Sequence, residues 1–277
     1  MKKIFFIFFF SYLMLTAQHA CIEKYRNDTL IEKTNFNQNG KITEKLERII
    51  TPSVYHVVKS KYEYTSDGLL ASIKVIQDEI EQMSISYMYD DQKRLVRTKY
   101  YSKGKFQGRE VAIYEGDVLV KEIRFGPTYT EWEKEYSYDT NGLLIKKTIF
   151  FYQDSTHVKK QQHYYTYKNG RLFKDSSLVD DSMQSVTEYT YDTKGRLIRK
   201  EIKFDTGNNV VFEYRYKGKE NFPFYELEKH GNYIMRENHK KYNKKGETIK
   251  EITIEYRNYK DDMKPIKATY TFKYYDF

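Results

Sequence analysis

The residues with the chemistry to react or to hold a metal are few and scattered. Six histidines stand at His19, His56, His157, His163, His230 and His239, with no common spacing. The only cysteine is Cys21, which leaves no Cys–His pair for nucleophilic catalysis and no disulfide framework. Carboxylate pairs occur at Asp90-Asp91, Asp180-Asp181 and Asp261-Asp262. Calcium needs about six to eight oxygens, and two adjacent carboxylates suit a solvated turn better. The sequence contains no Gly-rich phosphate loop, no Gly-x-Ser-x-Gly elbow and no His-Glu-x-x-His pair. These residues point to a protein that is not an enzyme and needs no cofactor or metal. What remains is aromatic: 29 Tyr, 17 Phe and the single Trp132. Aromatic faces stack on sugars, which would make polysaccharide or another envelope protein the partner. They also fill cores, and that is the plainer reading of tyrosines that recur at fixed intervals.

The elements that position these rings must be built from a polar chain. In 277 residues there are 48 Lys+Arg and 39 Asp+Glu, a net charge of +9. The mean hydropathy is −0.82. A helical membrane protein is excluded, since only the N-terminus carries a long apolar run. The aromatic content of 17 % excludes wholesale disorder. Positive charge is mixed with negative along the chain, which argues against nucleic acid as a partner.

The N-terminus reads as an export signal. Met1-Lys2-Lys3 is positive, Ile4 to Leu15 is almost wholly apolar, and Ala17 offers a cleavage site. Residues 1–17 are therefore expected to be removed, and 18–34 to hold a leader and a first strand. Cys21 as a lipidated first residue is the competing expectation, although Gln18 and His19 suit a lipobox poorly. Either way the destination is the periplasm, the outer-membrane surface or the exterior. A lipid at Cys21 would be the contact with membrane.

Residues 35–277 are one repeat. Tyr62-Glu63-Tyr64 precedes a turn with Gly68, and Tyr87-Met88-Tyr89 precedes one with Lys93 in the glycine place. Tyr136-Ser137-Tyr138 leads to Gly142, Tyr165-Thr166-Tyr167 to Gly170, and Tyr189-Thr190-Tyr191 to Gly195. Weaker copies end at Phe36, Tyr114, Tyr216 (after Tyr214) and Tyr242. Each unit alternates Tyr with a polar residue, turns through Asp, Asn or Gly, and resumes with period-2 apolar residues such as Ile198, Ile202 and Phe204. Nine two-strand units and a last strand give an expected 19 strands, with no helix. Such a meander, ~90 Å across at ~4.8 Å per strand, would close into a tube too wide to fill. The expectation is therefore an all-β antiparallel meander forming a twisted or coiled, shell-like sheet.

Tyr-x-Tyr-Asp-x-x-Gly-Arg-Leu, as at Tyr189–Leu197, resembles the YD repeat of RHS-type proteins. The resemblance covers roughly residues 36–277 and implies strands that spiral into a hollow shell. The family's Asp-Pro core motif is missing, because Pro52, Pro127, Pro223 and Pro265 never follow Asp. The architecture carries over and the toxin role does not. The expected function is a non-catalytic scaffold or binding surface of the cell envelope. An outer-membrane β-barrel, or an RHS-like shell without a toxin domain, is the alternative. Against the barrel stand Lys134, Lys147, Asp175 and Lys200, on what would be a lipid-facing surface.

Overall fold

The computed structural model describes residues 19–51, 54–152, 158–218, 222–243, 245–256 and 265–276. Residues 1–18, which hold the expected export signal, together with Pro52, His157 and Asp261-Asp262, lie outside them. Twenty strands run along the described chain. They are β1 His19–Arg26, β2 Thr29–Phe36, β3 Ile42–Thr51, β4 Val54–Tyr64, β5 Leu70–Gln77, β6 Ile80–Tyr89, β7 Leu95–Ser102, β8 Lys105–Glu115, β9 Val118–Phe125 and β10 Thr130–Tyr138. The second half holds β11 Leu144–Tyr152, β12 Val158–Lys168, β13 Arg171–Val179, β14 Ser182–Tyr191, β15 Leu197–Phe204, β16 Asn209–Tyr216, β17 Pro223–His230, β18 Tyr233–Tyr242, β19 Thr248–Glu255 and β20 Ile266–Asp276.

Every strand pairs antiparallel with its neighbour in sequence, and β1 pairs with β20 through Glu23 opposite Lys273 and Tyr25 opposite Thr271. The sheet is therefore a closed up-and-down barrel, not the open shell-like sheet expected. The strand count is 20, not 19. The additional strand is β1, in the stretch read as leader and first strand, and it is the strand that closes the wall. Closure gives hydrogen-bond partners to both edges of the meander, which an open sheet would leave as sticky templates. Width does not oppose it. At ~4.8 Å per strand and a tilt of ~35–45°, twenty strands enclose a bore ~40 Å across between backbones. Such a barrel stays hollow, and among the described residues no side chain is fully buried. The buried apolar residues are Phe36, Ile149, Val211, Leu227 and Ala268, spread around the wall rather than gathered in one core.

The two rims are built differently. At one rim lie the ends of β2, β4 and every later even strand, together with the start of β1 and the end of β20. Asn169-Gly170 between β12 and β13 is a tight hairpin, while several of the rim's turns share one plan: Asp139 Oδ1 accepts the backbone N–H groups of Asn141 and Leu143 at 2.9 and 2.8 Å. Asp192 does the same for Lys194 and Arg196, both at 2.9 Å. The residue before the last turn position is left-handed, with φ +79° at Gly142, +81° at Gly195 and +63° at Lys93. The opposite rim is made mainly of tight hairpins. Asp78-Glu79, Lys103-Gly104 and Asp180-Asp181 each have two successive positive φ angles, as type I′ turns require.

Candidate functional site

Alternation along strands and pairing between them divide the side chains into two faces around the whole barrel. Tyr189 is opposite Lys200, Lys200 opposite Phe212, and Phe212 opposite Glu228, so all four share a face. The interleaved positions belong to the other face. Near the first rim the Tyr face is half-buried while its neighbours are exposed, as with Met88 at 45 %, Ile113 at 40 % and Tyr164 at 40 %. The less exposed, concave side is the bore.

A ring of tyrosines lines the first rim of that bore. Tyr64 donates to the Ile42 carbonyl, Tyr89 to Leu70, Tyr114 to Leu95, Tyr138 to Leu119 and Tyr167 to Leu144, at 2.8–3.2 Å. Tyr191 reaches Leu172, Tyr216 Leu197, Tyr242 Pro223 and Tyr274 Thr248 in the same way, at 2.7–2.9 Å. Phe36 holds the equivalent place beside β3. Each ring leans onto the preceding strand. A β-bulge lies just before each of these positions from Phe36 to Tyr242, for example between Thr190 and Tyr191. The bulges are absent from the sequence pattern, because one extra residue leaves period-2 alternation intact on either side.

The arginine of the motif completes the latch. Asp192 Oδ2 accepts from Arg196 Nε at 2.7 Å, and the guanidinium lies 4.5 Å from the ring centre of Tyr216 in the next unit. Arg94 is held by Asp90 at 2.7 Å and lies 4.6 Å over Tyr114. These backbone and guanidinium bonds hold the Asp90 and Asp192 carboxyls below the usual carboxylate range, the backbone N–H of Arg94 or Arg196 having the largest effect. The motif residues Tyr64, Tyr89, Tyr138, Tyr167, Tyr191, Tyr216, Gly68, Gly142, Gly170 and Gly195 are thus placed where they join turns and units.

One layer deeper, Tyr62, Tyr87, Tyr136, Tyr165, Tyr189 and Tyr214 face the bore. Below them is a charged belt in two arcs. On β8 to β13 it includes Arg124 with Glu110 at 3.3 Å, Lys134 with Glu122 at 3.7 Å, and His163 with Asp175 at 3.4 Å. Lys134 also lies 3.8 Å from the ring centre of Trp132. On β17, β18 and β1 to β3 it includes Lys240 with Glu226 and Arg236 with Glu228, both at 2.8 Å, and Lys45 with Glu32 at 3.4 Å. Lys134, Lys147, Asp175 and Lys200 all face the bore, so they are not charges on an outer wall. The outer wall has its own ion pairs, among them Lys74–Glu63 at 3.2 Å, Lys203–Glu188 at 2.7 Å and Lys229–Glu213 at 3.1 Å.

No group of three His, Cys, Asp or Glu that could hold a metal occurs among the described residues. Cys21 is half-buried on the outer face of β1, opposite Asn35, as a free thiol. Asp180 and Asp181 form a hairpin turn and are engaged by the backbone N–H and ammonium of Lys160 at 2.9 and 3.0 Å.

No protein-family model and no curated protein matches this chain. Among solved structures it is similar to a chain of the Photorhabdus luminescens Tc holotoxin pore carrying the mutation TccC3-D651A, at 13 % identity and TM-score 0.44. That match covers 82 % of this chain and 14 % of the toxin chain. It is also similar to a porin-like protein from Bacteroides uniformis ATCC 8492, at 10 % identity and TM-score 0.43, covering 94 % of this chain and 97 % of that one. A porin-like protein from Bacteroides vulgatus ATCC 8482 follows at 13 % identity and TM-score 0.28, covering 91 % and 97 %. The closed 20-stranded wall supports an outer-membrane type of β-barrel better than an open scaffold sheet.

Proposed function

We propose that the protein is an envelope β-barrel of the outer-membrane type, exported by its N-terminal segment, whose working part is the bore. The observation that carries this reading is the pairing of β1 with β20, which turns the meander into an unbroken wall. Around a hollow this wide, the wall is lined by tyrosines and by a belt of paired charges, a surface that water and polar solutes wet. Closed barrels with 16–18 strands already enclose aqueous channels. The rows of Tyr-x-Tyr hold the wall together, and no catalytic step is assigned to the bore.

Reconstitution tests the reading. The refolded barrel should release a small dye from liposomes and give stepwise conductance in a planar bilayer. Native protein should remain in the membrane pellet after a carbonate wash, in wild type and in Cys21→Ala alike.

The outer wall favours a second reading, the same hollow barrel standing in water. Lys59, Lys61, Glu63 and Lys74 on β4 and β5, and Arg199, Glu201 and Lys203 on β15, lie on the outer face. A Lys or Arg at the bilayer midplane costs ~2–4 kcal/mol. Detergent-free protein that stays monomeric, washes off with carbonate and gives no conductance would establish this second reading and remove the first.

A further inference from the structure

At the hairpin rim, the turns after β15 and β17 frame a cavity of about 640 Å³ lined by Phe204, Thr206, Asn208, Asn209, Val210, His230, Gly231 and Tyr233. Phe204, Val210 and His230 share the bore face, since Ser185 is opposite Phe204 and Val210 is opposite both Ile202 and His230. The cavity is therefore part of the mouth of the bore, at the end away from the tyrosine ring. Its size is within the ~300–1,000 Å³ range of small-molecule sites.

We propose that this cavity is a binding site for a neutral oligosaccharide. Two aromatic rings stand exposed at its edge, Phe204 at 40 % and Tyr233 at 57 %. Apolar ring faces of this kind match the C–H face of a pyranose. Around them stand the amide of Asn208 and the hydroxyl of Thr206, while the Asn209 amide is turned to Glu201 on the outer face at 3.5 Å. An amide offers both donors and acceptors, which is what a sugar's hydroxyls require. Glu228 engages the ionisable groups beside the site. Glu228 Oε1 lies 3.0 Å from His230 Nε2, and Glu228 Oε2 accepts from Arg236 at 2.8 Å. The lining carries no Asp, Glu, Lys or Arg to call for an ionic ligand. By contrast, a cavity of about 410 Å³ beside Lys59, Lys61, Asp78 and Glu79 has charged groups and no aromatic ring.

The test is calorimetric titration of the mature chain with maltotetraose, cellotetraose and N-acetylchitotetraose. At least one should bind, and Tyr233→Ala should weaken it by tenfold or more in protein that remains folded by circular dichroism. Phe204→Ala should weaken it to a similar degree. Ile80→Ala, an equally exposed apolar change at the same rim, should leave the affinity unchanged. The proposal is overturned if none of the three sugars binds, if binding survives Tyr233→Ala, or if Ile80→Ala weakens it as much. Binding is read on protein in solution, so the result is independent of whether the barrel conducts.

Discussion

At the scale of single residues, the repeat is a turn device. Asp192 binds two backbone N–H groups and one guanidinium at once, and this is why Asp, Gly and Arg recur after Tyr-x-Tyr. The unit around Asn243 keeps the geometry with the polarity reversed: Asn243 Oδ1 takes the N–H groups of Lys245 and Glu247, and its Nδ2 donates to Glu247 at 2.6 Å. Because the Asp90 and Asp192 carboxyls are held low in the folded state, they stabilise it above the unfolded carboxylate pKa of ~3.9. That contribution disappears as pH falls through the lower, folded value. The melting temperature should therefore drop between pH 4 and 2, and the gap between wild type and Asp192→Asn should shrink over the same range. Gly195 has φ +81°, with the Arg171 guanidinium lying where a Cβ would go. Guanidinium can move, but backbone cannot, so the left-handed angle sets the cost. Gly195→Val should destabilise by more than ~1 kcal/mol, with Gly195→Asn milder, as denaturant titration would measure. Lys93 at φ +63° shows that the same place accepts a non-glycine residue.

At the scale of elements, rim tyrosines latch their hairpins to the preceding strand, and Arg94 and Arg196 add a forward latch in their units. The tyrosine hydroxyl reaches back to the preceding strand, and the arginine reaches forward over the next ring. In a repeat, stability is close to a sum of unit and neighbour terms, so a lost latch should loosen its own stretch first. Tyr191→Phe removes only the bond to the Leu172 carbonyl and should cost ~1 kcal/mol. Tyr191→Ala also removes a half-buried ring and should cost ~3 kcal/mol. Hydrogen exchange should rise around residues 186–204 before the rest of the wall. An unchanged Tyr191→Ala variant would mean that the rim tyrosines are not structural. This layer was largely legible in the sequence. Period-2 alternation placed Tyr189, Tyr191, Ile198 and Ile202 on one face, and the turn residues set the hairpin ends. Pro223 opens β17 opposite the bulge at Tyr216. The bulges themselves, and the hydroxyl-to-carbonyl bonds they permit, leave no mark on residue spacing.

At the scale of the whole molecule, closure was the hidden feature. His19–Arg26 has no Tyr-x-Tyr anchor and adjoins the apolar leader, so nothing in its pattern separates a strand from a linker. Closure also depends on pairing between residues some 250 positions apart, which no local pattern encodes. The bore face follows from the same closure: Lys134, Lys147, Asp175 and Lys200 look like charges on a sheet surface until the sheet's curvature turns them inward. The central claim is that β1 seals the barrel against β20. Glu23→Cys with Lys273→Cys, in a Cys21→Ser background, tests it directly. Glu23 and Lys273 are opposite one another on the outer wall. Mild oxidation of the monomer should join them in an intramolecular disulfide, found as a single linked peptide by mass spectrometry, while Glu23→Cys with Lys147→Cys stays unlinked. Free thiols after oxidation, or a disulfide found only between two molecules, would contradict the closed barrel.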